Sequence, residues 1–500
     1  MSPNEYREPI EKGAFEFAQL DKNIHDLKFE TKPIGYFKDA WIRFRKNKSS
    51  VVAAIIIIVI VLFGLLAPLF SNHAVYESDI TYKKKTARSF LLSKIGLGTA
   101  ITHKTVNQNE FNYIYGIGVA ATFNKETDKN ASFDIAAANK YNPVKSYSAT
   151  VDAGKTYYNV DVEVYYQEGF QFKQITQKEY DAIIAWEKES GLTIIYPVLD
   201  VPLSENDANM WYTEAKNGVY VDNYKRDKNG DILYETPIAS SEKDAPKQYR
   251  VRILYYNYYI YQNGNEPQYI LGTDTQGYDI MVRLAYGIRL SLLLSVFVSI
   301  INFIIGAIYG AVEGYYGGWI DLIMERISDI LNEVPFLVVA TLFQLHLVRT
   351  GKVSAFTALL FAFVLTGWLG TAYRVRTQFY RFKGQEYVLA ARTLGAGDAR
   401  IMFKHIFPNA IGTIITSSVL VIPGVIFSES FLSYLGIVNL QGKNTTSLGA
   451  MLANGQGSLM NFPHIIFWPS LVISLLMISF NLFGNGLRDA FNPSLRGTEE

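Results

Sequence analysis

Glu429 is a carboxylate inside an otherwise uncharged run, Pro423-Gly-Val-Ile-Phe-Ser-Glu429-Ser-Phe-Leu-Ser-Tyr-Leu-Gly436. A carboxylate at membrane depth is costly unless it faces a cavity or a partner. Two roles fit it. It lines a solute pathway, with Ser417 and Ser418 upstream as further lining groups, or it fixes helix packing through hydrogen bonds. Other reactive side chains offer less. There is no cysteine, and the histidines (His25, His73, His103, His346, His405, His464) stand singly with no i, i+4 pair, which argues against thiolate or helix-borne metal chemistry. No Gly-x-x-x-x-Gly-Lys-Ser/Thr loop occurs, so the chain does not cradle nucleotide phosphates itself. Gly395-Ala-Gly397 lacks a third glycine and follows no strand. Asp227-Lys-Asn229-Gly-Asp231 imitates a calcium loop, but Ile238 stands where a bidentate Glu is needed, and a hairpin turn explains it. No catalytic residue, cofactor site or metal site is expected.

A different kind of site lies between Glu386 and Asn409. Tyr387-Val-Leu-Ala-Ala-Arg-Thr-Leu394 is a good helix-forming run, Gly395 and Gly397 stop it, and Asp398 is placed to cap the next helix. Ala390 and Ala391 give that helix a small-residue face, on which another protein can approach the backbone closely.

These residues need a membrane scaffold. With 49% hydrophobic and 14% aromatic residues in 500, the chain is neither all membrane nor all soluble. Val51–Phe70 has the length of a span and follows fifty residues of polar or basic-aromatic sequence, so it reads as a retained transmembrane helix and not a signal peptide. Before it, Ile34–Ser50 mixes Tyr36, Phe37, Trp41 and Phe44 with five basic residues, as in a helix lying on the membrane face. Further spans are expected at Leu290–Val312, Ile330–Val348, Ser354–Tyr373, Ile411–Leu435 and Ile465–Leu487. Basic residues crowd Arg374–Lys404, whereas Gly436–His464 holds only Lys443. The positive-inside rule then puts both termini and the Glu386 helix in the cytoplasm. The net charge of +1 gives no nucleic-acid signal.

Residues 71–267 form a polar region placed outside the cell, with 22 of the 34 tyrosines. It reads as a folded α+β domain. Tyr157–Phe172 alternates around Glu168-Gly169 as a hairpin, Thr176 and Glu179 make a capping box for a helix over Gln177–Glu189, Gly218–Glu235 turns at Lys228-Asn229-Gly230, and Tyr249–Tyr261 reads as a long strand. The tyrosines are either a sugar- or peptide-binding surface or a tyrosine-rich core. The sequons Asn130-Ala-Ser132 and Asn444-Thr-Thr446 are accidental in a bacterial chain.

With these residues assembled, the chain resembles the second permease subunit of the dipeptide, oligopeptide and nickel importers of the ATP-binding-cassette class. The Glu386 segment resembles their EAA loop: Ala390, Ala391, Gly395 and Pro408 match at the right spacing, while Leu389 replaces the name-giving Glu. Trp41-Ile-Arg-Phe-Arg-Lys-Asn-Lys48, Leu271-Gly-Thr-Asp-Thr-Gln-Gly-Tyr-Asp279, Ser447-Leu-Gly-Ala-Met-Leu452 and Phe480-Asn-Leu-Phe-Gly-Asn-Gly-Leu-Arg-Asp-Ala-Phe-Asn-Pro493 resemble further signatures, with Tyr278, Leu448 and Asn485 as departures.

The resemblance implies a six-span helical fold of the type I importer class, interrupted by an α+β insert. It implies a division into residues 1–50, 51–70, 71–267 and 268–500, with the coupling loop at 374–410. It also implies a homologous permease partner, two cytoplasmic ATPases, an external substrate-binding lipoprotein and a bacterial plasma membrane. Glu386, Ala390, Ala391, Arg392, Gly395, Asp398 and Pro408 would carry the ATPase contact. The insert would dock the binding protein. Rival readings are a membrane receptor for a peptide signal, which needs no ATPase dock, and a metal-chelate permease. A secondary transporter fits less well, for want of an inverted hydropathy repeat.

Overall fold

The structure is a computed structural model that describes residues 35–123, 125, 141–152, 154–200, 207–214, 220–238 and 247–491. The N-terminal tail, the sequon at Asn130 and the start of the hairpin expected from Gly218 lie outside these residues.

The basic-aromatic stretch folds as helix α1 (Tyr36–Lys46), which rests Ala40 and Phe44 on the last helix and leaves Trp41 outward. Asn47 ends it and starts α2 (Lys48–Leu66), accepting the Ser50 N–H. α2 continues through a short tight turn to Phe70, giving the expected first span.

After Ser71 the chain runs back along the segment that will later enter the second span. The Asp79 N–H donates to Gly277 O (3.1 Å) and the Lys84 N–H to Asp274 O (2.9 Å), while Arg88 and Tyr269 exchange both backbone hydrogen bonds. Gly277 is required here, because a Cβ would lie 1.9 Å from Asp79 O.

Beyond Arg88 comes the α+β region. α3 (Phe90–Ser93), β1 (Ile101–Asn107) and α4 (Gln108–Ala120) lead into β2 (Val144–Asp152) and β3 (Lys155–Glu163), and the antiparallel sheet order is β1-β3-β2. A second sheet takes β4 (Phe170–Thr176), β5 (Ile195–Tyr196), β8 (Glu235–Ile238) and β9 (Gln248–Leu254), all against β9. Between them lie α5 (Gln177–Ser190) and the small pair β6 (Tyr212–Glu214) and β7 (Tyr220–Asp222).

The α5 cap is as expected: Thr176 Oγ1 accepts the Glu179 N–H, and Gly191 closes the helix in the left-handed region. The turn at Asp227 is also as expected, its carboxylate accepting the N–H groups of Asn229 and Asp231, although the strands on either side of it pair elsewhere, β7 with β6 and β8 with β9. Two expectations fail. Tyr157–Phe172 is not a hairpin, because β3 and β4 belong to different sheets and buried Val164–Tyr166 passes between them. Alternation reports a strand's two faces and says nothing of its neighbour. The strand expected over Tyr249–Tyr261 ends at Leu254 and becomes α6 (Tyr255–Asn263), whose tyrosines recur at helical spacing and whose end is set by Gly264 in the left-handed region. Tyr82, Tyr165, Tyr256, Tyr259 and Tyr269 are buried against one another, so many of the tyrosines build a core.

α7 (Ile280–Tyr316) has 37 residues and, at 1.5 Å per residue, reaches ~55 Å, well beyond the ~30 Å hydrocarbon layer. It contains the expected Leu290–Val312 span. The expected third span is a bent pair: α8 (Gly318–Asn332) meets α9 (Phe336–Phe343), which continues to Val348 in a widened turn, at 69°. Pro335 breaks the helix: it has no N–H to donate, and its own backbone is extended where α9 begins. α10 (Ala355–Gly367) and α11 (Leu369–Phe382) form the next long run.

α7 and α11 pack through a glycine ridge. Added Cβ atoms at Gly306, Gly310 and Gly314 would strike Trp368–Ala372, Ala372–Val375 and Arg376–Phe379 in turn. The contacts advance in step, so these two helices run parallel. Therefore the bent pair between them carries the chain back across the bundle, and it counts as a crossing.

The remaining elements are α12 (Glu386–Thr393), α13 (Asp398–Arg400), a widened turn over Ile401–Ile406, α14 (Phe407–Val419), α15 (Val421–Tyr434), α16 (Leu448–Gly455) and α17 (His464–Phe491). Ser71 Oγ donates to Asp279 at the start of α7, and Ser50 Oγ donates to Leu482 O near the end of α17. One end of the bundle thus holds Ser71, Asp279, His464 and the α+β region. The opposite end holds Lys48, Tyr316, α12 and Phe491.

Candidate coupling and translocation sites

α12 is built to be gripped on one side and exposed on the other. Val388 alone is fully buried on this helix, within a cluster that includes Tyr315 of α7, Val375 and Phe379 of α11, and Ile401, Ile406 and Ala410 leading into α14. Tyr387, Leu389, Ala390, Arg392 and Leu394 face outward, with Leu394 87% exposed, and Ala391 is half-buried. Glu386 opens the helix in its first turn, where a carboxylate complements the helix dipole. At the other end Ala396 N–H donates to Ala391 O and Gly395 N–H to Arg392 O, both at 3.0 Å. Gly395 has φ +82°, so the helix stops in a Schellman motif for which glycine is the natural residue.

Asp398 does not cap the next helix, contrary to expectation. Gly397 holds the cap position and Asp398 is already the first helical residue. Its carboxylate instead accepts the Tyr315 hydroxyl at 2.7 Å, and Arg392 donates to the same hydroxyl at 3.4 Å. Coupling loop and α7 are thus joined by hydrogen bonds as well as by Val388. Pro408 sits in the first turn of α14, directly after the widened turn Ile401–Ile406. A proline has no N–H to give, and the wide turn spares its ring a clash with the preceding carbonyls.

A second network near α12 escaped the sequence reading. Arg376 of α11 grips Asp321 of α8 with two hydrogen bonds (2.6 and 3.0 Å), Glu325 with another (3.0 Å), and lies 3.4 Å from Glu313 of α7. The Tyr380 hydroxyl donates to Asp321 at 2.6 Å, and Lys383 Nζ donates to Gly314 O at 2.9 Å. Asp321 and Glu325 stand at i, i+4, but nothing in the chain points that pair at Arg376.

At the other end of the bundle Glu429 is completely buried. Its carboxylate accepts hydroxyl hydrogen bonds from Ser447 (2.6 Å), Ser433 (3.0 Å) and Ser291 (3.1 Å), so one side chain ties α15 to α7 and to the start of α16. Gly449 permits this approach, since a Cβ there would lie 2.6 Å from Ser430 Cα. Ser417 and Ser418 are buried and return their hydroxyls to carbonyls of their own helix. Ser418 borders a hollow of about 250 Å³ between α7 and α14–α15, beside Ser299, whose hydroxyl donates to Ser418 O at 2.8 Å. Glu429 does not border that hollow.

Residues 35–89 match the N-terminal TM domain of oligopeptide transport permease C, and residues 302–497 match the binding-protein-dependent transport system inner membrane component. The oligopeptide transport system permease protein OppC of Bacillus subtilis (strain 168) is 42% identical over 225 residues, which is 45% of this chain and 72% of that protein. The chain belongs to this permease C family. The dipeptide transport system permease protein DppC of the same organism is 42% identical over 226 residues, 45% of this chain and 68% of that protein. DppC of Lactococcus lactis subsp. cremoris (strain MG1363) is 31% identical over 304 residues, 61% of this chain and 84% of that protein. As a permease C protein, the chain is a multi-pass, non-catalytic membrane component of an ABC importer. The match that ends at residue 89 takes in the return segment from Ser71 to Arg88.

Proposed function

We propose that this permease C subunit conducts peptides across the plasma membrane as one half of a heterodimer with a homologous permease. Its relatives' names, oligopeptide and dipeptide transport permeases, support that cargo. One of two cytoplasmic ATPases docks on α12 through Glu386, Ala390, Ala391 and Arg392, within the loop that ends at Pro408, and an external lipoprotein delivers peptide at the insert's end of the bundle. Both termini are cytoplasmic, and the insert, roughly residues 90–266, is extracellular.

The observation that carries the coupling role is the two-sided character of α12. Its outer face is exposed, with Ala390 among Tyr387, Leu389 and Arg392, while Val388 and Asp398 fix it to α7, α11 and α14. Motion of a docked partner then passes to the spans as a shift between two packed arrangements, with no chemistry in this chain. Ser417 and Ser418 lie along the proposed pathway, and Glu429 sets the geometry of its outer end. A pure receptor has no use for such a helix.

Reconstitution with the partner subunits should give ATP-dependent uptake of labelled peptide that is lost when α12 is altered. Uptake of nickel chelates but not peptides under the same conditions would replace the cargo assignment.

A further inference from the structure

A cavity of about 900 Å³ lies between the α+β insert side and the bundle, with Ile80–Thr86 and β1 on one wall and Asn461–His464 on the other. Four ammonium groups line it: Lys83, Lys84, Lys85 and Lys104. The only carboxylate on its lining is Glu168, and Lys85 already pairs with it. Lys104 donates to the neutral Gln167 at 3.2 Å, and Lys83 and Lys84 form no ion pair among the described residues. Burial, then the neighbouring Lys85, holds the Lys104 ammonium below the usual lysine range. Lys84 has φ +59°, a region that non-glycine residues rarely adopt, and its N–H is pinned to Asp274 O. Its ammonium lies 5.3 Å from the Phe462 ring at the cavity wall. The walls therefore carry an excess of positive charge.

Depth and rim decide what kind of anion this suits. His464 opens α17, and the run Ile465–Leu487 that follows it is uncharged, so the cavity sits at the level of the membrane surface. Its borders are apolar on both sides: Ile80 is 73% exposed, and Met460, next to the Asn461–His464 wall, is 92% exposed. A soluble anion needs no such rim. An amphiphile does.

We propose that this cavity binds the phosphate headgroup of an anionic glycerophospholipid. Lys83, Lys84 and Lys104 neutralise the phosphate as point charges, and Ile80, Met460 and Phe462 take the glycerol and first acyl carbons. Such a lipid bridges the segment after the first span to the start of the last.

The test uses the full-length permease in detergent, followed by native mass spectrometry. Phosphatidylglycerol should be retained, phosphatidylcholine of the same chains should not, and millimolar inorganic phosphate should leave the lipid in place. Lys83→Gln with Lys104→Gln, and separately Lys84→Asn, which tolerates the backbone, should cut phosphatidylglycerol occupancy about five-fold per lysine. Lys83→Arg and Lys104→Arg should keep it, which separates lost charge from lost folding. Equal retention of phosphatidylcholine, displacement by free phosphate or by an acidic hexapeptide, or full occupancy in the glutamine variants would each overturn the proposal.

Discussion

Val388→Ala isolates the grip that holds the coupling helix. Val388 has no exposed surface and packs among Tyr315, Val375, Phe379, Ile401, Ile406 and Ala410. Removing two methyl groups loses about 1.6 kcal/mol of transfer energy at ~0.8 kcal/mol per buried carbon. An unrelaxed void of ~50 Å³ adds about 1 kcal/mol. A total of about 2–3 kcal/mol shifts the ratio of seated to unseated α12 by roughly 30- to 150-fold. The outward face, with Ala390 and Leu394, is untouched, so the ATPases should still assemble on the complex. The expected result in proteoliposomes is ATP hydrolysis near the wild-type rate with peptide uptake per ATP reduced at least ten-fold. Leu394→Ala, which alters only exposed surface, should instead weaken ATPase assembly and lower both rates together. Unchanged coupling in Val388→Ala, with the alanine confirmed and the protein folded, would refute the view that the grip transmits motion.

Four further outcomes are expected. Gly395→Pro, which cannot reach φ +82° and loses the N–H to Arg392 O, and Ala391→Glu, which puts a carboxylate on the docking helix, should both abolish uptake at normal membrane abundance; normal uptake in either removes the loop from the mechanism. Glu429→Ala orphans three buried serine hydroxyls at about 1 kcal/mol or more each and should lower the melting temperature, while Glu429→Gln keeps one acceptor oxygen and should lose less; equal losses would overturn the hydrogen-bond clasp as the source of the stability. Deleting residues 90–266 should weaken delivery by the binding protein and spare basal ATP hydrolysis; altered cargo choice at unchanged binding-protein affinity would make the insert a receptor. Burial holds the carboxyls of Asp79, Glu163 and Asp274 above their ordinary range, so the folded chain takes up these protons before the unfolded chain does. Their contribution should therefore grow as pH falls through those raised values towards the ordinary carboxylate range, be complete below it, and be lost as pH rises back through the raised values; their three asparagine or glutamine replacements should flatten that slope in thermal melts.

Much of this architecture was legible because it rests on local signals. The uncharged run at Val51–Phe70, the Thr176–Glu179 capping box and the glycines after Leu394 each declare an element's start or stop. Failures arose where a segment's identity depends on distant partners. Tyr255–Asn263 is helical because its buried rings meet Tyr82 and Tyr165, both far away in sequence, as well as Tyr269. Arg376 meets Asp321 across a crossing bent at Pro335, and no spacing encodes that meeting. Gly306, Gly310 and Gly314 stand at every fourth position, but that repeat names neither α11 nor its parallel direction, which only the packing reveals.

The paired hydrogen bonds between Arg88 and Tyr269 mean that the α+β region leaves the permease and rejoins it at one point. A module grafted at adjacent ends adds no knot, no long loop to close and no change of register to the helices beneath it. The same junction is a natural site for exchange, provided that whatever is spliced between residues 89 and 268 also covers Tyr82 and Tyr269, which now pack on Tyr165, Tyr256 and Tyr259.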